Sequence, residues 1–327
     1  MRPFDYQSAA DRAEALRLAA APGAAFLAGG TTLVDLMKID VMRPASLIDV
    51  NRLPLAEVGL DKGVLRLGAL ARMSQAAEHP DVARDFPVIA QSLQLAASQQ
   101  LRNMASLGGN VLQRTRCLYF RDVSWPCNKR EPGSGCSALG GVNRNLAVMG
   151  TSEACIANYP GDFAIALAAL DARILLEGPA GRRTLAFADL HRLPGDAPHI
   201  ETNLRPGELI LGFEIAAAPW MRRSLYLKIR DRESYEFALA SAAVALDLDG
   251  VIVREARIAL GGLAAKPWRA SAAEEALRGQ TLTEETARAA AAKAFAQASA
   301  EDERAFKIEL GQATLTRALL QARDLEI

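Results

Sequence analysis

Two adjacent glycines, Gly29 and Gly30, separate an apolar run, Ala25-Phe26-Leu27-Ala28, from a stretch, Thr31 to Lys38, that sets Leu33, Leu36 and Met37 on one side. By period the first is a short buried strand and the second a helix. The backbone must turn from one to the other within a few residues, which glycine permits because it lacks a Cβ. The same turn gathers consecutive N–H groups beside a helix N-terminus, an arrangement suited to a pyrophosphate. An ordinary strand-to-helix turn has the same spacing, so on these residues alone both readings stand. The loop matches neither G-x-G-x-x-G nor G-x-x-x-x-G-K-[ST], and Rossmann and Walker readings fail here. One G-x-G-x-x-A, Gly133 to Ala138, follows no strand and opens no apolar helix, and it is set aside.

The flanking sequence reads as a small α/β unit. Ser8 with Asp11 gives a capping-box signal for a helix reaching Ala20, Pro22-Gly23 stops it, and Leu47 to Val50 forms a second strand. A middle segment from about Leu53 to Ala217 follows, with a strand at Val64 to Ala69 and helices at Val88 to Leu101 and Phe163 to Leu170. Near Trp220 a third segment begins. A hairpin around Asp249-Gly250 joins Ala240–Leu248 to Val251–Leu260. Two helices close the chain: one runs from Glu284 to about Ser299, and the other is announced by Ser299 and Asp302, with Phe306, Leu310, Ala313 and Leu320 on one face.

Lys plus Arg and Asp plus Glu both total 38, so bulk charge gives no reason to expect a nucleic acid or an anionic membrane as partner. Three tryptophans leave few platforms for stacking bases. Runs such as Phe237 to Leu246 are too short to insert in a membrane. The start, Met1-Arg2-Pro3-Phe4-Asp5, carries no apolar h-region. We therefore expect a cytoplasmic protein, or a periplasmic one exported with a signal-bearing companion. His79, His191 and His199 show no metal-ligand spacing and read as surface or capping residues.

Between Gln113 and Asn145 the periodicity collapses into Gly, Pro, Arg and Cys, and a stretch of that kind is an insertion with a purpose or a disordered one. It holds Cys117, Cys127 and Cys136, and Cys155 lies just beyond. Spacings of nine, eight and eighteen intervening residues are unlike the C-x-x-C pairs of structural zinc sites. Four soft sulfur ligands suit zinc and iron–sulfur alike, and free thiols remain an alternative. Six basic residues (Arg114, Arg116, Arg121, Lys129, Arg130, Arg144) against two acids (Asp122, Glu131) favour an anionic thiolate cluster.

Three blocks together resemble the FAD subunit of the xanthine oxidase family of molybdenum hydroxylases. Ala28-Gly29-Gly30-Thr31-Thr32-Leu33 is similar to its first flavin loop, and Gln100 to Asn110, with Ser106-Leu107-Gly108-Gly109-Asn110, to its second. Leu260 to Arg269 is similar to the start of its C-terminal domain. The resemblance implies an α+β chain: a vanillyl-alcohol-oxidase-type FAD-binding domain of two α/β lobes (about 1–52 and 53–217, with the cysteine insertion at about 113–155), then a C-terminal α+β domain, 218–327. It implies non-covalent FAD wrapped by Leu27, Ala28, Gly29, Gly30, Thr31, Thr32 and Leu33, with Ser106, Gly109 and Asn110 in the second loop. Asp162 and Lys228 take the places of family residues near the cofactor, although on general grounds a helix cap and a solvated strand lysine are the commoner readings.

Within the family the four-cysteine insertion is most similar to that of bacterial aldehyde oxidoreductase flavin subunits. The resemblance then implies a [4Fe-4S] cluster on Cys117, Cys127, Cys136 and Cys155, a large molybdenum-cofactor subunit, a small [2Fe-2S] subunit and an external electron acceptor. Nothing in the sequence supplies a substrate-activating acid–base pair, so chemistry must come from cofactors. Two alternatives remain: the flavin subunit of a xanthine- or N-heterocycle-type hydroxylase, and a zinc-stabilised interaction module.

Overall fold

The computed structural model describes residues 1–327. The first lobe is a three-stranded parallel sheet of β1 (Asp5–Ser8), β2 (Ala24–Leu27) and β3 (Ser46–Asp49), with β3 in the centre. Helices α1 (Arg12–Ala19) and α2 (Leu33–Lys38) make the crossovers. Ser8 belongs to β1, so the expected cap is misplaced: Asp11 is the N-cap, accepting from the Glu14 amide. Glu14 in turn accepts from the Ala10 amide, which completes the two-way exchange one turn later than expected.

The second lobe is a five-stranded antiparallel sheet. Its strands, β4 (Val58–Asp61), β5 (Val64–Gly68), β6 (Arg173–Gly178), β7 (Gly181–Ala186) and β8 (Leu209–Ala216), lie in the order β4-β5-β8-β6-β7. Between β5 and β6 run helices α3 (Met73–Glu78), α4 (Pro80–Asp85), α5 (Pro87–Gln94), α6 (Gln99–Met104), α7 (Leu107–Val111), the single turn α8 (Leu118–Arg121) and α9 (Phe163–Ala169). The helix expected from Val88 to Leu101 is thus two: α5 ends at Gln94, Ala97 takes a left-handed φ of 48°, and Ser98 caps α6 through the Leu101 amide. Its apolar spacing is continuous, but a serine that prefers capping interrupts it. Every residue of α9 is buried, as expected of a helix that is apolar all round.

The C-terminal sheet runs β12-β11-β10-β9, all antiparallel, from β9 (Ser224–Ile229), β10 (Ala240–Asp249), β11 (Ile252–Gly261) and β12 (Trp268–Arg269). The hairpin turns at Gly250, where φ is +60°. Helices α10 (Ser271–Leu277), α11 (Glu284–Ala294) and α12 (Phe306–Arg323) cover the sheet. The α12 face forecast from the sequence is half right: Leu310 and Leu320 pack against the C-terminal core. Phe306 and Ala313 are exposed, whereas Lys307, Gly311, Thr314, Leu315, Ala318, Leu319 and Ala322 are buried. The misleading residue is Lys307, whose ammonium donates to the carbonyls of Asn145, Leu146 and Gly262 at 3.1, 2.9 and 2.6 Å. It ties the end of the cysteine insertion to the third domain. Ser299 and Asp302 cap nothing; Asp302 binds Arg304 and Asn143 instead.

Candidate flavin and cysteine sites

The turn after β2 leaves the amides of Gly29, Gly30, Thr31, Thr32 and Leu33 without any acceptor in the chain. Buried or half-buried amides are nearly always paired, so five in succession mark an anion site. Gly30 has φ +72°, which glycine alone adopts freely. Gly29 is fixed for another reason. A Cβ there would lie 2.1 Å from the Met104 carbonyl oxygen, in the second flavin loop. The first loop therefore packs backbone against backbone on the second, and the spacing between them admits no side chain.

That second loop runs from the end of α6 through Ser106, the cap of α7, into α7 itself. Ser106, 1% exposed, accepts from the Gly109 amide at 3.2 Å. Asn110 donates to the Met73 sulfur at 3.3 Å, while its Oδ1 is buried without a partner. Two cavities meet at Thr31 and Thr32. One, of about 230 Å³, is lined by Ala28, Gly29, Gly30, Leu33, Ser106 and Gly109. The other, of about 440 Å³, is lined by Asn110, Asp162, Arg116, Arg121, Tyr235 and Phe237 among others. Leu27 lines neither, and Lys228 stands behind Asp162 rather than on the wall. Free amides, an orphaned carboxamide oxygen and a two-chambered cleft fit an extended dinucleotide such as FAD.

Asp162 is no helix cap in side-chain terms; it makes no capping hydrogen bond at the start of α9. Its carboxylate accepts instead from Lys228 at 2.8 Å and from the Tyr226 hydroxyl at 2.8 Å, and Tyr226 also meets Ser241 at 2.8 Å. Nor is Lys228 a solvated strand lysine, since its side chain is 1% exposed. Burial pushes the Asp162 carboxyl above its ordinary pKa, against the opposing pull of Lys228. Tyr226 carried no sequence signal; only the β9–β10 register, which sets Lys228 opposite Ser241, reveals the network.

His191 is likewise not a surface residue. It is buried, its Nε2 lies 2.9 Å from the Val111 carbonyl at the end of α7, and burial lowers its pKa to about 4. Its folded value lies below the unfolded 6.5, so its share of stability is complete above pH 6.5. That share is lost as the unfolded chain gains a proton on going down to about pH 4. We expect the native protein to lose about 3 kcal/mol more than His191→Gln over that interval, read from urea midpoints at each pH.

The four cysteines, far apart in sequence, converge. Cys117, Cys127, Cys136 and Cys155 line one small apolar void of about 10 Å³, and none is in a disulfide. Cys127 and Cys136 face each other across an antiparallel bridge. Burial raises the Cys117 thiol to about 11 and raises Cys155 as well, so a cationic centre is needed to hold them as thiolates. The basic residues contribute less than their number implies. Arg114 and Lys129 pair with Glu201, Arg116 and Arg121 with Asp35, and Arg144 with Asp231, while Arg130 binds the carbonyls of Tyr119, Phe120 and Trp125. Only Lys129 among them lines the void. No three His, Cys, Asp or Glu side chains are arranged to hold a single metal ion.

Residues 2–217 match the FAD binding domain in molybdopterin dehydrogenase, and residues 225–322 match the CO dehydrogenase flavoprotein C-terminal domain. The chain belongs to the FAD-binding subunits of the xanthine oxidase-type molybdenum hydroxylases. This flavin subunit is 46% identical, over 99% of both chains, to the aldehyde oxidoreductase FAD-binding subunit PaoB of Escherichia coli. It is 25% identical to the glyceraldehyde dehydrogenase medium chain of Sulfolobus acidocaldarius, over 83% of this chain and 79% of that one. Carbon monoxide dehydrogenase of Hydrogenophaga pseudoflava contains a chain of the same fold, with TM-score 0.76, 27% identity and 99% of each chain covered. The subunit is part of an oxidoreductase, and no helix is long and apolar enough to cross a membrane.

Proposed function

We propose that this chain is the FAD- and [4Fe-4S]-carrying electron-transfer subunit of a molybdenum-dependent aldehyde oxidoreductase. It would work beside a large molybdenum-cofactor subunit and a small [2Fe-2S] subunit, and deliver electrons to an external acceptor. When bound, FAD and the cluster supply the electron-carrying chemistry that no side chain here has. Residues 1–217 form the FAD-binding domain in this reading, with the cysteine insertion at about 113–155, and residues 218–327 form the C-terminal domain. FAD is held without a covalent bond by Ala28 to Leu33, Ser106, Gly109, Asn110 and Asp162, with Lys228 steadying Asp162.

The convergence of four thiols on one void carries the cluster assignment. A zinc module is less well supported, because the spacings between the cysteines are unlike the C-x-x-C pairs of structural zinc sites. The void is small for a four-iron cube. Its wall at Cys136, however, follows an exposed turn, Glu131 to Ser134, where a Cβ added at Gly133 would meet nothing within 4 Å, so the loop has room to open outward. The aldehyde assignment is supported by the 46% identity to an aldehyde oxidoreductase subunit. The test is metal and sulfide analysis of anaerobically prepared protein, followed by acid precipitation. About four iron and four sulfide per chain, with yellow flavin released to the supernatant, is the expected result. Stoichiometric zinc without iron would contradict the cluster, and flavin retained in the pellet would contradict non-covalent binding.

A further inference from the structure

Arg116 lies one residue before Cys117, yet its side chain reaches into the flavin cavity, where it meets the Asp35 carboxylate and the Phe237 ring. Arg121 holds the same carboxylate with both terminal nitrogens, at 2.8 and 3.0 Å, while Arg116 makes one longer bond of 3.3 Å. Two guanidiniums on one carboxylate leave a positive charge in excess. The other carboxylates of the cavity do not cancel it, since Asp162 is held by Lys228 and Glu236 by Arg232. The Nε of Arg116 is buried and has no partner, a state that is costly until an acceptor arrives. Thr31, Thr32 and Asp35 share this wall with Arg116, and the threonine amides also lack acceptors. Asp35 alone would repel an anion there; the arginine pair reverses the sign of the wall.

We infer that Arg116 is an FAD-binding residue supplied by the cysteine insertion, setting its free charge against the FAD pyrophosphate, and that ligation at Cys117 fixes it in place. This rests on the FAD and cluster reading above. Arg116 is bonded directly to Cys117, a residue that lines the cysteine void, so ligation of that sulfur restrains the backbone that carries the guanidinium. Cluster occupancy and FAD affinity are then linked, and the linkage is reciprocal.

The experiment titrates the full chain, iron-loaded and after anaerobic chelation, with FAD and with ADP-ribose, which carries the adenosine pyrophosphate without the flavin ring. Arg116→Gln should weaken both ligands by roughly ten- to a hundredfold, the range for losing a charge-assisted hydrogen bond. Arg116→Lys, which keeps the charge, should lose less. Iron removal should weaken FAD binding to the native chain and change it little in Arg116→Gln. Native affinity in Arg116→Gln would overturn the inference. So would a loss confined to FAD, which puts the guanidinium on the ring, or equal iron dependence in both proteins, which takes Arg116 out of the coupling. Metal analysis beforehand separates these results from failure of the cluster reading: a chain that never held iron overturns both together.

Discussion

Gly29→Val should strip FAD from the protein while leaving its four-cysteine site able to take up iron. A Cβ at position 29 falls 2.1 Å from the Met104 carbonyl oxygen, a backbone atom that cannot rotate aside. The clash is relieved only by moving the two flavin loops apart, and their spacing is what presents the free amides of Gly29 to Leu33 opposite Ser106 and Gly109. Overpacking of this kind costs about 3 kcal/mol, which is about a hundredfold in affinity if it falls wholly on the bound state. Flavin retained after ultrafiltration, set against iron content in the same sample, measures it. Flavin occupancy equal to that of the native protein would show that the loops do not hold the cofactor.

Asp162→Ala should destabilise the fold by about 3–5 kcal/mol, the cost of leaving one partner of a buried ion pair alone. The Lys228 ammonium would keep only the Leu95 carbonyl, at 3.0 Å, and its side chain is 1% exposed. Tyr226 would retain Ser241 but lose its carboxylate. Replacing both partners, as Asp162→Ala with Lys228→Met, should recover most of that loss, because no charge is then stranded. Urea denaturation of the single and double variants reads the difference. A loss below about 1 kcal/mol in the single variant, the range of a surface pair, would mean that the pair is solvated.

Much of this was legible in the sequence because it is local. The strand–glycine–helix junction at Ala25 to Lys38 and the hairpin at Asp249-Gly250 each carry their signal within a few residues. The four cysteines were legible as a set by composition, although their convergence on one void was not, since it depends on how an aperiodic loop folds. What escaped is long-range. Lys307 and His191 are polar residues placed inside by partners far away in the chain, the carbonyls of Asn145, Leu146, Gly262 and Val111. The surplus of basic residues in the insertion was misjudged for the same reason, because Asp35, Glu201 and Asp231, which bind most of them, lie outside it. Strands β6 to β8 left too weak a period to be placed before their register was seen.

Anaerobic mixing of an aldehyde with the isolated, metal-analysed chain, and in parallel with a complex reconstituted with the two proposed partner subunits, tests the proposed electron-transfer role most directly. In the complex the long-wavelength absorbance of oxidised flavin should bleach, while the isolated chain, if it only transfers electrons, should keep it. Bleaching by aldehyde in the isolated chain would contradict the account, because it would make this chain a complete enzyme.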